Sequence, residues 1–180
     1  MQREEAVRHM TDIMAKFVAF TGKRLPDDVR AKIEELAKQE EEPLAKAIYQ
    51  TMERNQELAL KLNRPSCQDT GALQFFIKCG TAFPYMAELP DLLREAVVQA
   101  TKDAPLRHNA VETFDEYNTG KNVAKGIPSI FWDIAPGRDD CEIYTYMAGG
   151  GCSLPGHAKV LMPGQGYEGV TKFVLDGLKR

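Results

Sequence analysis

"ALQFFIKCG", residues 72–80, is a short apolar run closed by glycine, and it reads as a strand. It marks a change of texture. Residues 1–63 carry apolar side chains at helical spacing, whereas strand-like runs alternate with helical ones after residue 72. The resulting order predicts an α+β fold: a helical N-terminal half, then a small mixed or antiparallel sheet packed with helices. A single domain over 1–180 is expected at this length.

Upstream of the strand, Val7, Met10, Met14, Phe17 and Val18 share one face of a first helix. Pro26, Asp27 and Asp28 open a second, with proline in its first turn and acids at the positive end of the dipole; Val29, Ile33 and Leu36 form its apolar stripe. Pro43 starts a third, with Leu44, Ala47, Ile48, Met52 and Leu58 on one side. Downstream, "LPDLLREAVVQATKDAP" is a helix with Leu93, Ala96, Val97 and Ala100 facing inward. "GIPSIFWDI" and "CEIYTYM" are strand-like, and the intervening "APGRDD" predicts a turn that pairs them as an antiparallel hairpin. A glycine-rich loop follows, and Val170, Phe173, Val174 and Leu178 recur at helical spacing at the end.

Composition narrows the function. A net charge of −3 gives no electrostatic case for nucleic acid. No apolar run approaches the ~20 residues needed to span a membrane. The N-terminus, MQREEAVRHM, lacks the apolar core of a signal peptide, so a cytoplasmic location is expected. The four cysteines, Cys67, Cys79, Cys141 and Cys152, form no C-x-x-C pair. Cys79 and Cys141 lie in strand-like runs, where a small hydrophobe suits.

Three polar constellations fall in expected loops. Cys67-Gln68-Asp69-Thr70-Gly71 offers a thiolate for a metal, an amide for a substrate oxygen and a carboxylate for proton transfer; the plainer reading is a turn leading into the strand. Arg107, His108 and Asn109 follow a helix, and an arginine fork suits a substrate carboxylate; a solvent-facing helix end is the plainer reading. Gly149-Gly150-Gly151-Cys152 lets backbone approach a ligand, without the spacing of a nucleotide loop. A zinc site from Cys67, Cys152 and His157 lacks recognisable ligand spacing.

Taken together, "NRPSCQDTG", "APLRHNAVETFDEYNTGKN" and "YMAGGGCSLPGHAKVLMPGQGYEGVTKFV" resemble the alpha subunits of iron–sulfur hydro-lyases in the class I fumarase family, over almost the whole chain. The resemblance implies dehydration of L(+)-tartrate to oxaloacetate, with fumarate–malate chemistry as the runner-up and a non-catalytic small-anion-binding domain as the reading of another class. It implies a [4Fe–4S] cluster held by three cysteines, a beta subunit as partner, a small dicarboxylate substrate and an oligomeric complete enzyme. Residue by residue, Cys67 matches the first cluster ligand. Gln68 and Asp69 match substrate contacts, and Asp69 also joins the proton-transfer machinery. Arg107 matches the arginine that holds a substrate carboxylate, and Gly150 matches a backbone contact to substrate.

One departure matters. The other two cluster cysteines of the family should follow the last helix and are absent here, while Cys152 stands where fumarases tend to carry serine. One thiolate cannot hold a cubane. The expectation is therefore the N-terminal portion of an alpha subunit, inactive by itself and without a stably bound cluster.

Overall fold

A computed structural model describes residues 2–153 and 156–179, with backbone alone for Cys152 and Ser153. The chain divides into two compact units, residues 1–149 and 150–180.

The first unit is built around strand β1 (Ala72–Gly80), whose limits match the sequence expectation. Leu73, Phe75, Ile77 and Cys79 alternate onto one face and are fully or almost fully buried. Helix α4 (Leu89–Asp103) fills that face with Leu92, Leu93, Ala96, Val97 and Ala100. The four inward positions read from its periodicity are all solvent-free. Helix α1 (Arg3–Thr21) packs beside it, burying Ala6, Thr11, Ala15, Val18 and Ala19. Small residues at the contact let the helix axes approach, so Phe17, expected on the inner face, lies outside at 43% exposure.

Helices α2 (Asp27–Gln39) and α3 (Pro43–Leu62) form as expected, with Pro43 in the first turn of α3. Pro26 is the N-cap of α2 rather than part of its first turn, which Asp27 and Asp28 occupy. No residue of α2 and only Ala59 of α3 is buried. Leu44, Ile48 and Met52, read as one apolar side, stay open to solvent.

The expected hairpin does not form. Strands β2 (Val111–Glu112) and β3 (Tyr117–Asn118) make a small separate ladder. Strands β4 (Ser129–Ala135) and β5 (Cys141–Ala148) flank β1 in the order β4-β1-β5, parallel to it on one side and antiparallel on the other. The reason is that β1 is the strand with a fully apolar inner face and takes the centre, where burial is greatest. The "APGRDD" turn instead straddles the end of β1: Gly80 N–H donates to the Asp140 carbonyl (2.9 Å) and Ala82 N–H to that of Arg138 (2.9 Å). Arg138 braces the turn, donating to Asp140 (2.7 and 2.5 Å) and Glu142 (2.6 Å).

In the second unit the glycine-rich stretch, expected as a loop, makes one helical turn, α5 (Gly150–Ser153). Helix α6 (Gly166–Leu178) covers the final periodic segment, and its Val170, Val174 and Leu178 are exposed. None of the described helices is long and apolar enough to cross a membrane.

Two outcomes follow from this packing. Phe75→Ala should cost about 3–5 kcal/mol in urea denaturation, as a large cavity opens under α4, whereas Leu44→Ala should stay within about 0.5 kcal/mol. The Arg138 hydrogen bonds hold the Asp140 and Glu142 carboxyls below their ordinary range. A depressed carboxylate stabilises above its unfolded pKa of about 4 and loses that contribution as pH falls through the folded value. Arg138→Gln should therefore lower Tm at pH 7, and the difference from wild type should vanish towards pH ~2.

Candidate functional site

The loop carrying Cys67 is set by the ends of three helices. Helix α3 stops at Asn63, left-handed at φ 52°, whose side-chain amide donates to the Asp103 carbonyl at the end of α4 (2.9 Å). Ser66 N–H donates to the Gly22 carbonyl just past α1 (2.9 Å), and the Asn55 amide donates to the Ser66 carbonyl (2.6 Å). From this anchored position the chain turns outward. Cys67 and Gln68 are exposed, Asp69 is half-buried and Thr70 is buried. The Cys67 Sγ accepts from Asp69 N–H (3.4 Å) and donates to Gln68 Oε1 (3.5 Å).

Asp69 is the centre of the arrangement. Its Oδ1 accepts from Gly71 N–H (3.0 Å), an Asx turn that delivers the chain into β1. Gly71 sits at φ +70°, and a Cβ there would lie 2.1 Å from the Ala148 carbonyl oxygen, so both conformation and space demand glycine. Gly149, just past β5, meets the Asp69 carboxyl itself: a Cβ would fall 2.5 Å from its carbon. The first glycine of the triplet thus makes room for the carboxylate of the C-Q-D-T-G motif.

The second constellation arrives from the other side. Helix α4 runs back to the start of β1, and Leu106 is buried there, which projects Arg107 and His108 into solvent. Asn109 turns inward and its Nδ2 donates to Asp69 Oδ1 at 2.5 Å. That bond joins two motifs forty residues apart in the chain, one before a strand and one after a helix. Arg107 is exposed, and its guanidinium makes no hydrogen bond or ion pair among the described residues. Asn122, which belongs to neither constellation, lies beneath: its Oδ1 accepts from Asn109 N–H (2.7 Å) and its Nδ2 donates to the Arg107 carbonyl (3.0 Å). Sequence reading missed it, since one asparagine in a loop carries no pattern.

The other candidates fall elsewhere. Gly150 opens the second unit, with His157 and Lys159 in the same unit, and the Cys152 side chain lies outside the described residues. Cys79 and Cys141 face each other across β1 and β5 as free thiols. Burial, then the Cys79 neighbour, pushes the Cys141 thiol up to about 12, so it stays protonated at neutral pH. Cys67 also borders a cavity of about 320 Å³ between α2 and α3, lined among others by Arg30, Ile33, Met52 and Leu60.

An exposed thiol, an amide and a carboxylate on one loop, with an unpaired guanidinium on the next, are groups that can bind a small anion and move a proton. Comparisons with known proteins give the family. The family model described as fumarate hydratase (Fumerase) matches residues 11–180. The chain belongs to this family. Among relatives, the alpha subunit of L(+)-tartrate dehydratase from Escherichia coli K12 is 53% identical over 176 residues, covering 98% of this chain and 58% of the relative. The same subunit from Shigella boydii matches with the same figures. A chain of Methanocaldococcus jannaschii is 29% identical over 170 residues, 93% of this chain and 60% of its own length. The chain thus spans less than two thirds of the relatives it matches. In the first unit of this chain, the C-Q-D-T-G loop, the Arg107 loop and Gly149 come to one end of the sheet.

Because Asp69 fills the space where a Gly149 Cβ would go, Gly149→Ala should destabilise the chain by about 1–3 kcal/mol. Gly151→Ala, with nothing within 4 Å of its Cβ, should leave Tm almost unchanged. Thermal melts of the two variants side by side check this.

Proposed function

We propose that this chain is the substrate-binding, N-terminal part of an alpha subunit of a [4Fe–4S]-dependent hydro-lyase that dehydrates L(+)-tartrate to oxaloacetate, working with a beta subunit in an oligomer. The observation that carries the proposal is the 2.5 Å bond from Asn109 to Asp69, which joins the carboxylate of one loop to the loop that bears Arg107. Tartrate is favoured over fumarate and malate because the E. coli relative at 53% identity is named for it.

The fit to a cluster is partial. Cys67 is an exposed thiol whose Sγ accepts an amide N–H, which suits a thiolate ligand. No three His, Cys, Asp or Glu side chains come together for a metal among the described residues. The described residues therefore contribute one ligand and not a complete site. When bound, the group would supply Lewis acidity for a hydroxyl leaving group.

The remaining work falls to protein side chains. Arg107 takes one substrate carboxylate through two parallel hydrogen bonds and fixes the orientation of the carbon chain. Gln68 donates its amide to a substrate oxygen. Asp69 is the candidate for proton transfer. With Oδ1 saturated by Gly71 N–H and the Asn109 amide, the carboxylate is held in one orientation.

In the assembled two-subunit enzyme, Arg107→Lys keeps the charge and loses the fork. It should cost about 1.5–3 kcal/mol of transition-state stabilisation, roughly ten- to a hundredfold in kcat/KM, with Arg107→Ala costing more. Wild-type kcat/KM on L-tartrate in Arg107→Ala, with the cluster intact, would rule out the clamp. Higher kcat/KM on malate than on tartrate would move the substrate assignment to the fumarase reading.

A further inference from the structure

Asn122 is buried to 1% exposure and left-handed at φ +55°, a conformation that asparagine tolerates better than other side chains. A buried primary amide is costly unless its polar atoms are satisfied. Here each is used. Oδ1 accepts from the backbone N–H of Asn109 (2.7 Å). Nδ2 donates to the backbone carbonyl of Arg107 (3.0 Å) and to Thr101 Oγ1 (3.2 Å). Thr101 is itself buried and bonded to the Val97 carbonyl within α4 (2.7 Å). One side chain therefore grips the main chain on both sides of His108 and ties it to the last turns of the core helix.

Only an amide of this length meets the demand. It must accept at one end and donate at the other, so a carboxylate would set an oxygen against the Arg107 carbonyl and bury a charge. The residues it holds are those that reach the candidate site: Arg107 projects to solvent, and Asn109 bonds Asp69.

We propose that Asn122 is a positioning residue. It locks residues 107–109 to α4, so that the Arg107 fork and the Asp69 carboxylate are presented at a fixed separation before substrate arrives. The proposal rests on Arg107 being the carboxylate clamp. Without the brace the loop must be ordered at the expense of binding, which raises KM more than it lowers kcat.

Asn122→Gly removes the amide and tolerates the positive φ. In the assembled enzyme it should raise KM for L-tartrate, and the Kd of that substrate by calorimetry with a slow Asp69→Asn background, roughly three- to tenfold. In an Arg107→Ala background the same change should add less than about twofold, because the brace has no carboxylate clamp left to position. Full multiplication of the two effects, or a lower Tm with unchanged KM, overturns the proposal. An Arg107→Ala enzyme with wild-type KM removes the clamp itself and the brace with it, a result distinct from failure of Asn122 alone. Should Asn122→Gly not fold, amide hydrogen exchange of the wild-type protein decides: the Asn109 N–H should exchange as slowly as the last-turn amides of α4. Exchange at the rate of the neighbouring exposed loop overturns the brace.

Discussion

Strand β1 is hydrogen-bonded on both edges and buries one face, and this constraint sets the rest of the first unit. Leu73, Phe75, Ile77 and Cys79 need an apolar cover, which α4 and α1 provide. Slipping the strand by one residue would turn Phe76 and Lys78 inward and lose the whole set. With β1 held in register, the start of the strand, the end of β5 and the end of α4 all come to one end of the sheet. The loop before β1 carries Cys67, Gln68 and Asp69, and the loop after α4 carries Arg107 and Asn109.

The site is assembled by saturating hydrogen bonds rather than by ion pairs. Asp69 accepts from Gly71 and Asn109, while glycine at 149 leaves the carboxyl its space. Arg107, by contrast, is exposed and makes no ion pair among the described residues. In the proposed function, the open arginine is the group that meets a substrate carboxylate, and Asp69 is the group that moves a proton. The buried Asn122 belongs to the same scheme, since it bonds the backbone of Arg107 and Asn109, and the Asn109 side chain in turn bonds Asp69.

Much of this was legible in the sequence, for identifiable reasons. The limits of β1 and the inner face of α4 follow from local periodicity, because both elements bury one face and leave the other in water. The C-Q-D-T-G loop stood out because its polar side chains interrupt an apolar pattern. The sheet order was not legible: β4 and β5 carry adjacent strand signals, yet which strand is central depends on how much of each face is buried, a property of the assembled core. Phe17 misled for a related reason, since the tight contact of α1 is made by alanines. Asn122 was invisible because its importance lies in three partners at separations of 13 to 21 residues. The apolar stripes of α2 and α3 were read correctly from spacing, but spacing does not say whether anything covers them.

The most direct test of the account is an experimental structure of the assembled two-subunit enzyme with L-tartrate bound. The account predicts one substrate carboxylate within hydrogen-bond distance of both terminal nitrogens of Arg107, with Gln68 and Asp69 on the same molecule and Cys67 bonded to the cluster. A tartrate bound elsewhere, with Arg107 still facing solvent, would contradict it.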